Sequence, residues 1–162
     1  MPSFRRQVEQ ALAGHLATDG GVGAIPEQLD VGRLWASYHG LLEALPPICA
    51  ERLDHLTLGL ARDYWLRELY LASPDLFVHT LALLGRLAVL RFLIVSHPLA
   101  RAAATLVDEE AQRTTFDRGA VEAIYGFCRA VDHSPQFPEL LATALRRGGS
   151  FTLATATALL KG

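Results

Sequence analysis

Six histidines, His15, His39, His55, His79, His97 and His133, and two cysteines, Cys49 and Cys128, join 17 acidic residues as the groups able to hold a metal or move a proton. Helical zinc and di-iron sites bring two histidines onto one helix face, and no two of these histidines are three to five positions apart. Glu51 with His55 and Asp75 with His79 do have the four-residue spacing that places two ligands side by side. A metal needs more ligands than that, so both pairs read as surface hydrogen bonds or helix caps. Cys49 and Cys128 stand far apart and outside any paired motif. That argues against a disulfide scaffold, a zinc site or a redox centre, and leaves packed, reduced thiols as the expectation. No cofactor is expected.

Nucleophilic chemistry has little to build on. Ser96-His97 and His133-Ser134 set a hydroxyl beside an imidazole, but both fall at helix starts, where capping accounts for the serines. Gly20-Gly21-Val22-Gly23 follows a helical pattern and lacks the Gly-Lys-Ser/Thr ending of a phosphate cradle, so it reads as a linker. Asp108-Glu109-Glu110 reads as a solvated face near the end of a helix. Trp35, Tyr38, Tyr64, Trp65 and Tyr70 have helical spacing suited to a core, with a tryptophan at an interface as the alternative. One pair invites a ligand: His79 and Arg86, two turns apart on one face of the most apolar segment, could meet an anion in a pocket. The competing reading makes them the solvent-facing seam of an otherwise buried helix.

These residues must be positioned by helices. The chain has 162 residues, 51% of them hydrophobic and 20% charged, and it is rich in Ala and Leu. One helical domain covering residues 1–162 with its own core is the expectation. Net charge is −2, and the basic residues are scattered apart from Arg5-Arg6 and Arg146-Arg147, so there is no electrostatic footprint for nucleic acid. Lys161 is the only lysine, a bias that the base composition of the coding DNA explains as well as any ligand does. The opening MPSFRRQVEQALAGHL is amphipathic and lacks the features of a secretory signal, which points to the cytoplasm.

The apolar spacing predicts a first helix over residues 3–17, able to move on the Gly-rich linker 18–26. A second helix runs from Pro26 or Asp30 to Leu45 and stops at Pro46-Pro47. A third, from Ile48 to Ala72, has two apolar faces and hence two neighbours. Ser73-Pro74-Asp75 opens a fourth, with Ser73 as its cap and Pro74 at its first position. That helix, Leu76 to Val95, is long enough to span a bilayer, but Arg86 and Arg91 penalise insertion. It reads instead as a central helix, apolar nearly all round because other helices surround it. Further helices are expected from Leu99 to Val107 or Arg113, from Asp117 to Val131, and from Glu139 to Arg146 with a stop at Gly148-Gly149. Residues 151–160 alternate enough for a strand to compete with a short helix. The expected fold is an all-α irregular bundle of six to eight helices around that central apolar helix.

Leu83 to Arg113, LLGRLAVLRFLIVSHPLARAAATLVDEEAQR, resembles the central region of the YscK/OrgA-type accessory proteins of bacterial type III secretion. The likeness lies in a leucine-rich helix interrupted by Gly85, a small-residue corner from Ser96 to Leu99, and Leu106-Val107 followed by acids. It covers about a fifth of the chain, and the proline-rich N-terminal segment of that family is not evident here. The resemblance implies a cytoplasmic helical adaptor of the sorting platform, joining a membrane-ring protein to a pod protein, without enzymatic activity. A non-catalytic adaptor that binds protein partners and does not insert into a membrane is thus the functional expectation. The alternatives are a small-ligand-binding domain or enzyme with a pocket at His79 and Arg86, and a self-associating structural subunit.

Overall fold

A computed structural model describes residues 4–16, 31–67, 75–131, 134, 136–149, 152 and 154. Seven helices and no strand lie among them: α1 (Phe4–Leu16), α2 (Val31–Glu43), α3 (Pro47–Arg67), α4 (Leu76–Val95), α5 (Pro98–Ala103), α6 (Glu109–Val131) and α7 (Phe137–Arg147). The chain is an all-α irregular bundle, as its periodicity implies. The linker 18–26 and, apart from Thr152 and Ala154, the ambiguous segment 151–160 lie outside the described residues.

α4 is the axis. Residues Leu81 through Leu87 are buried without interruption, followed by Leu90, Leu93, Ile94 and Val95. Such a helix needs neighbours on every side, and each of the other six described helices touches it. It is the one described helix long and apolar enough to cross a membrane, with a mean hydropathy of 1.8 over its most apolar window, and 61% of that window is buried inside the fold.

α6 supplies the opposing wall. Phe116, Ala120, Ala123, Phe127 and Val131 lie on its inner face and are buried in one cluster with Leu90, Leu93 and Ile94 of α4 and Leu53 of α3. Small residues let the helices approach closely where a larger side chain from a neighbour must seat. Leu141 of α7 fills the space that a Cβ on Gly85 would take, and Gln7 of α1 does the same at Gly126. Gln7 Nε2 donates to the Glu122 carbonyl at 2.8 Å, which ties α1 to α6. Two ion pairs brace the outside: Arg52 to Asp117 at 2.8 Å between α3 and α6, and Arg91 to Asp54 at 2.9 Å between α4 and α3.

Several boundaries differ from those the sequence suggests, each for a local reason. Ser73 and Pro74, the expected cap and first position of α4, lie outside the described residues; the Asp75 carboxylate caps α4, accepting from Phe77 N at 2.9 Å and Val78 N at 3.0 Å, so the helix runs from Leu76. At the α4–α5 corner the cap is His97, whose Nδ1 accepts from Leu99 N at 3.2 Å, while Ser96 closes α4 and is buried. Ser96 thus ends α4, and His97 is the residue that opens α5. α5 ends at Ala103, and the acidic run is a beginning instead of an end. Asp108 Oδ2 accepts from Ala111 N at 2.8 Å, and Glu109 and Glu110 occupy the first turn of α6, where the helix dipole favours carboxylates. α7 ends as expected, with Gly149 at φ 66°, a backbone conformation that suits glycine.

Candidate functional site

His79 and Arg86 both turn toward α3, but they have different surroundings. The His79 ring packs edge-on against Trp65, with centroids 6.2 Å apart, near the half-open start of α4. Arg86 is 4% exposed, and its guanidinium lies 5.5 Å from the Tyr64 ring centroid and 5.7 Å from that of Phe137. A solvent-facing seam does not describe this residue. Cation–π attraction to two rings offsets part of the cost of burying the charge. The rings of Tyr64 and Phe137 cover the guanidinium on the sides of α3 and α7. Tyr64 is itself buried, with its hydroxyl 3.8 Å from Cys128 Sγ.

The other candidate groups are engaged locally. The Asp75 carboxylate caps α4, and Glu51 and His55 are exposed on α3. No group of three or more His, Cys, Asp or Glu side chains able to hold a metal occurs among the described residues. Cys49 is fully buried, and burial pushes its thiol pKa up, with the Asp117 charge adding to the effect. A raised thiol pKa means little thiolate and low reactivity.

The most elaborate polar contact is around His97. Its Nδ1 accepts the Leu99 amide, so the neutral ring carries its proton on Nε2, which points to Glu122 Oε2 at 3.7 Å. Burial lowers the His97 pKa, and the Glu122 charge partly offsets this. With Nδ1 on a backbone amide and Nε2 facing a carboxylate, no ring nitrogen remains to take a proton from neighbouring Ser96. Gly119 permits the packing, since a Cβ there would sit 2.8 Å from His97 Nδ1. Gln7, Gln10, Ala11, Leu93, Ser96, His97, Pro98 and Ala123 enclose a cavity of about 10 Å³ next to this contact, room for a single water. A metabolite does not fit.

No protein-family profile, curated protein or solved structure matches the chain.

The outer faces of the helices are what the sequence reading missed. α3 has the two neighbours its apolar faces imply, α4 and α6, yet Leu58, Trp65 and Leu66 on it remain 52%, 39% and 76% exposed. Leu76 at the adjoining start of α4 is 54% exposed. Of the aromatic set, Tyr38 and Tyr64 are core, Trp35 and Trp65 are not, and Tyr70 lies outside the described residues. Trp35 stacks its edge on His39 with centroids 4.3 Å apart and stays 58% exposed. On α6, Glu122 turns toward His97, and Val121 and Tyr125 stand between Arg118 and Arg129, 58% and 49% exposed. The available signal was Val121 and Tyr125 falling in register with Arg118 and Arg129 instead of with Phe116 and Phe127.

Proposed function

We propose that this chain is a non-catalytic helical adaptor that holds a protein partner on the outer face of α3. The observation that carries the reading is the row Leu58, Trp65 and Leu66, at positions i, i+7 and i+8 of one helix face, exposed alongside Leu76. Large apolar side chains gathered on one face of a helix suit a binding surface, and tryptophan is the residue most often found at the energetic centre of an interface. Removing the exposed part of each such side chain from water contributes about 1–2 kcal/mol, so that together they can drive association. The buried ionisable groups support the same reading, because Arg86, His97 and Cys49 are each taken up by packing or capping.

The resemblance of Leu83–Arg113 to the YscK/OrgA-type proteins adds a setting: the cytoplasmic sorting platform of a type III secretion system. The membrane-ring protein and the pod protein of the same genome are then the partners to try first. The test is co-expression of the tagged chain with each of them, and of a Trp65→Ser/Leu66→Ser form whose thermal midpoint is checked separately. The adaptor reading expects the native chain to retain a partner and the double variant to lose it while melting at nearly the same temperature. Retention by the double variant would contradict the assignment of the face, and failure of both partners to bind would remove the secretion setting.

A further inference from the structure

We propose that the outward stripe of α6, Arg118, Val121, Tyr125 and Arg129, docks an acidic amphipathic helix of a protein partner. The inference rests on the adaptor reading and adds to it a second surface and the chemistry of its occupant. Spacings of three, four and four put these residues in one line on the helix. The inner face of α6 is spent on the core through Phe116, Ala120, Ala123 and Phe127, so the stripe points away from the bundle. Val121 is 58% and Tyr125 49% exposed, and Arg118 and Arg129 at the two ends are both exposed.

Charge selects the occupant. Neither arginine has an ion-pair partner among the described residues, whereas Asp117 pairs with Arg52 and the Glu122 carboxylate is turned toward His97. These two guanidinium groups, eleven positions and so roughly 16 Å apart along the helix, flank the apolar pair Val121 and Tyr125 with a positive end on each side. A helix carrying carboxylates at that separation and apolar residues between them satisfies both ends at once, and arginine can hold each carboxylate through two hydrogen bonds. A second copy of the chain on the same stripe is disfavoured. An antiparallel pairing sets Arg118 against Arg129, and a parallel pairing sets each arginine against itself. Two arginines in a chain of net charge −2 are also too few to track a phosphate backbone.

The experiment titrates the full chain into a fluorescently labelled helical peptide with glutamates eleven positions apart flanking two leucines, and follows anisotropy. Saturable binding is expected, weakened at least about 10-fold by Arg118→Glu/Arg129→Glu and weakened by added salt. Replacing the peptide glutamates with lysine should restore binding to the charge-reversed chain. Trp65→Ser/Leu66→Ser should bind the peptide as the native chain does. Absence of saturable binding, or binding indifferent to the charge reversal, overturns the proposal. So does capture by anionic vesicles that is lost on the same reversal while the peptide is ignored. If the peptide fails but co-purification of a partner still depends on Trp65 and Leu66, the α6 proposal falls and the adaptor reading stands. If neither surface binds, both fall.

Discussion

Gly126→Ala tests the docking of α1 and its sign is set by competing effects. Alanine in a helix interior is favoured over glycine by about 1 kcal/mol, so an open site should gain stability. Gly59, where a Cβ would meet nothing within 4 Å, is such a site, and Gly59→Ala should raise stability by about 0.5–1 kcal/mol. At Gly126 the new methyl takes the place of the Gln7 side chain, which is 5% exposed and donates to the Glu122 carbonyl at 2.8 Å. Losing that hydrogen bond and leaving its buried groups unsatisfied costs about 1–3 kcal/mol. The cost outweighs the propensity gain, and Gly126→Ala should destabilise by about 1 kcal/mol and loosen α1. In a Gln7→Ala background the obstruction is gone, and the same substitution should become neutral or stabilising. Urea unfolding of the two single variants and the double variant reads this directly, with a coupling of about 1–2 kcal/mol expected. A Gly126→Ala protein as stable as Gly59→Ala, or strict additivity with Gln7→Ala, would refute the packing described for α1 on α6.

Other consequences follow from the caps and the core. Asp75→Ala removes the side chain that accepts from Phe77 N and Val78 N and should cost about 1 kcal/mol in urea melts, with Asp75→Ser close to native. Phe116→Ala, at a fully buried position, should cost about 3–5 kcal/mol by the same assay. Gly149→Ala, forced into φ 66°, should lose about 1 kcal/mol and fray the end of α7, visible as faster amide exchange there. Burial holds the folded His97 pKa below its ordinary 6.5, so the stability contributed by the neutral ring is complete above that pH. It drains as pH falls below 6.5 toward the depressed folded value, because the unfolded chain then binds a proton that the folded one refuses. Comparing urea midpoints across this range for the native chain and His97→Asn should show a flatter profile for the variant.

Where hydrophobic periodicity was long and uninterrupted, the sequence was legible. The central apolar helix ends at Val95 as its pattern implies, and the inner face of α6 is the one its spacing implies. The misplaced boundaries share a cause: several residues in a row could cap, and the backbone chose one. Ser73 competes with Asp75, Ser96 with His97, and Asp108 sits where a continuing helix was plausible. Which apolar residues stay wet depends on how many neighbours a helix finds in space. α3 has the two apolar faces its sequence suggests, yet Leu58, Trp65 and Leu66 meet solvent. Arg86 was legible as an oddity on an apolar helix, and its place between Tyr64 and Phe137 required knowing that α3 and α7 flank it.

The most direct check on the whole arrangement is amide hydrogen exchange of the native chain in buffer without lipid or detergent. With α4 enclosed by six helices, the amides from Leu81 to Ile94 should exchange only through global unfolding and be among the slowest in the molecule. Rapid exchange along α4 under those conditions, slowed only when vesicles are added, would contradict a helix whose neighbours are protein.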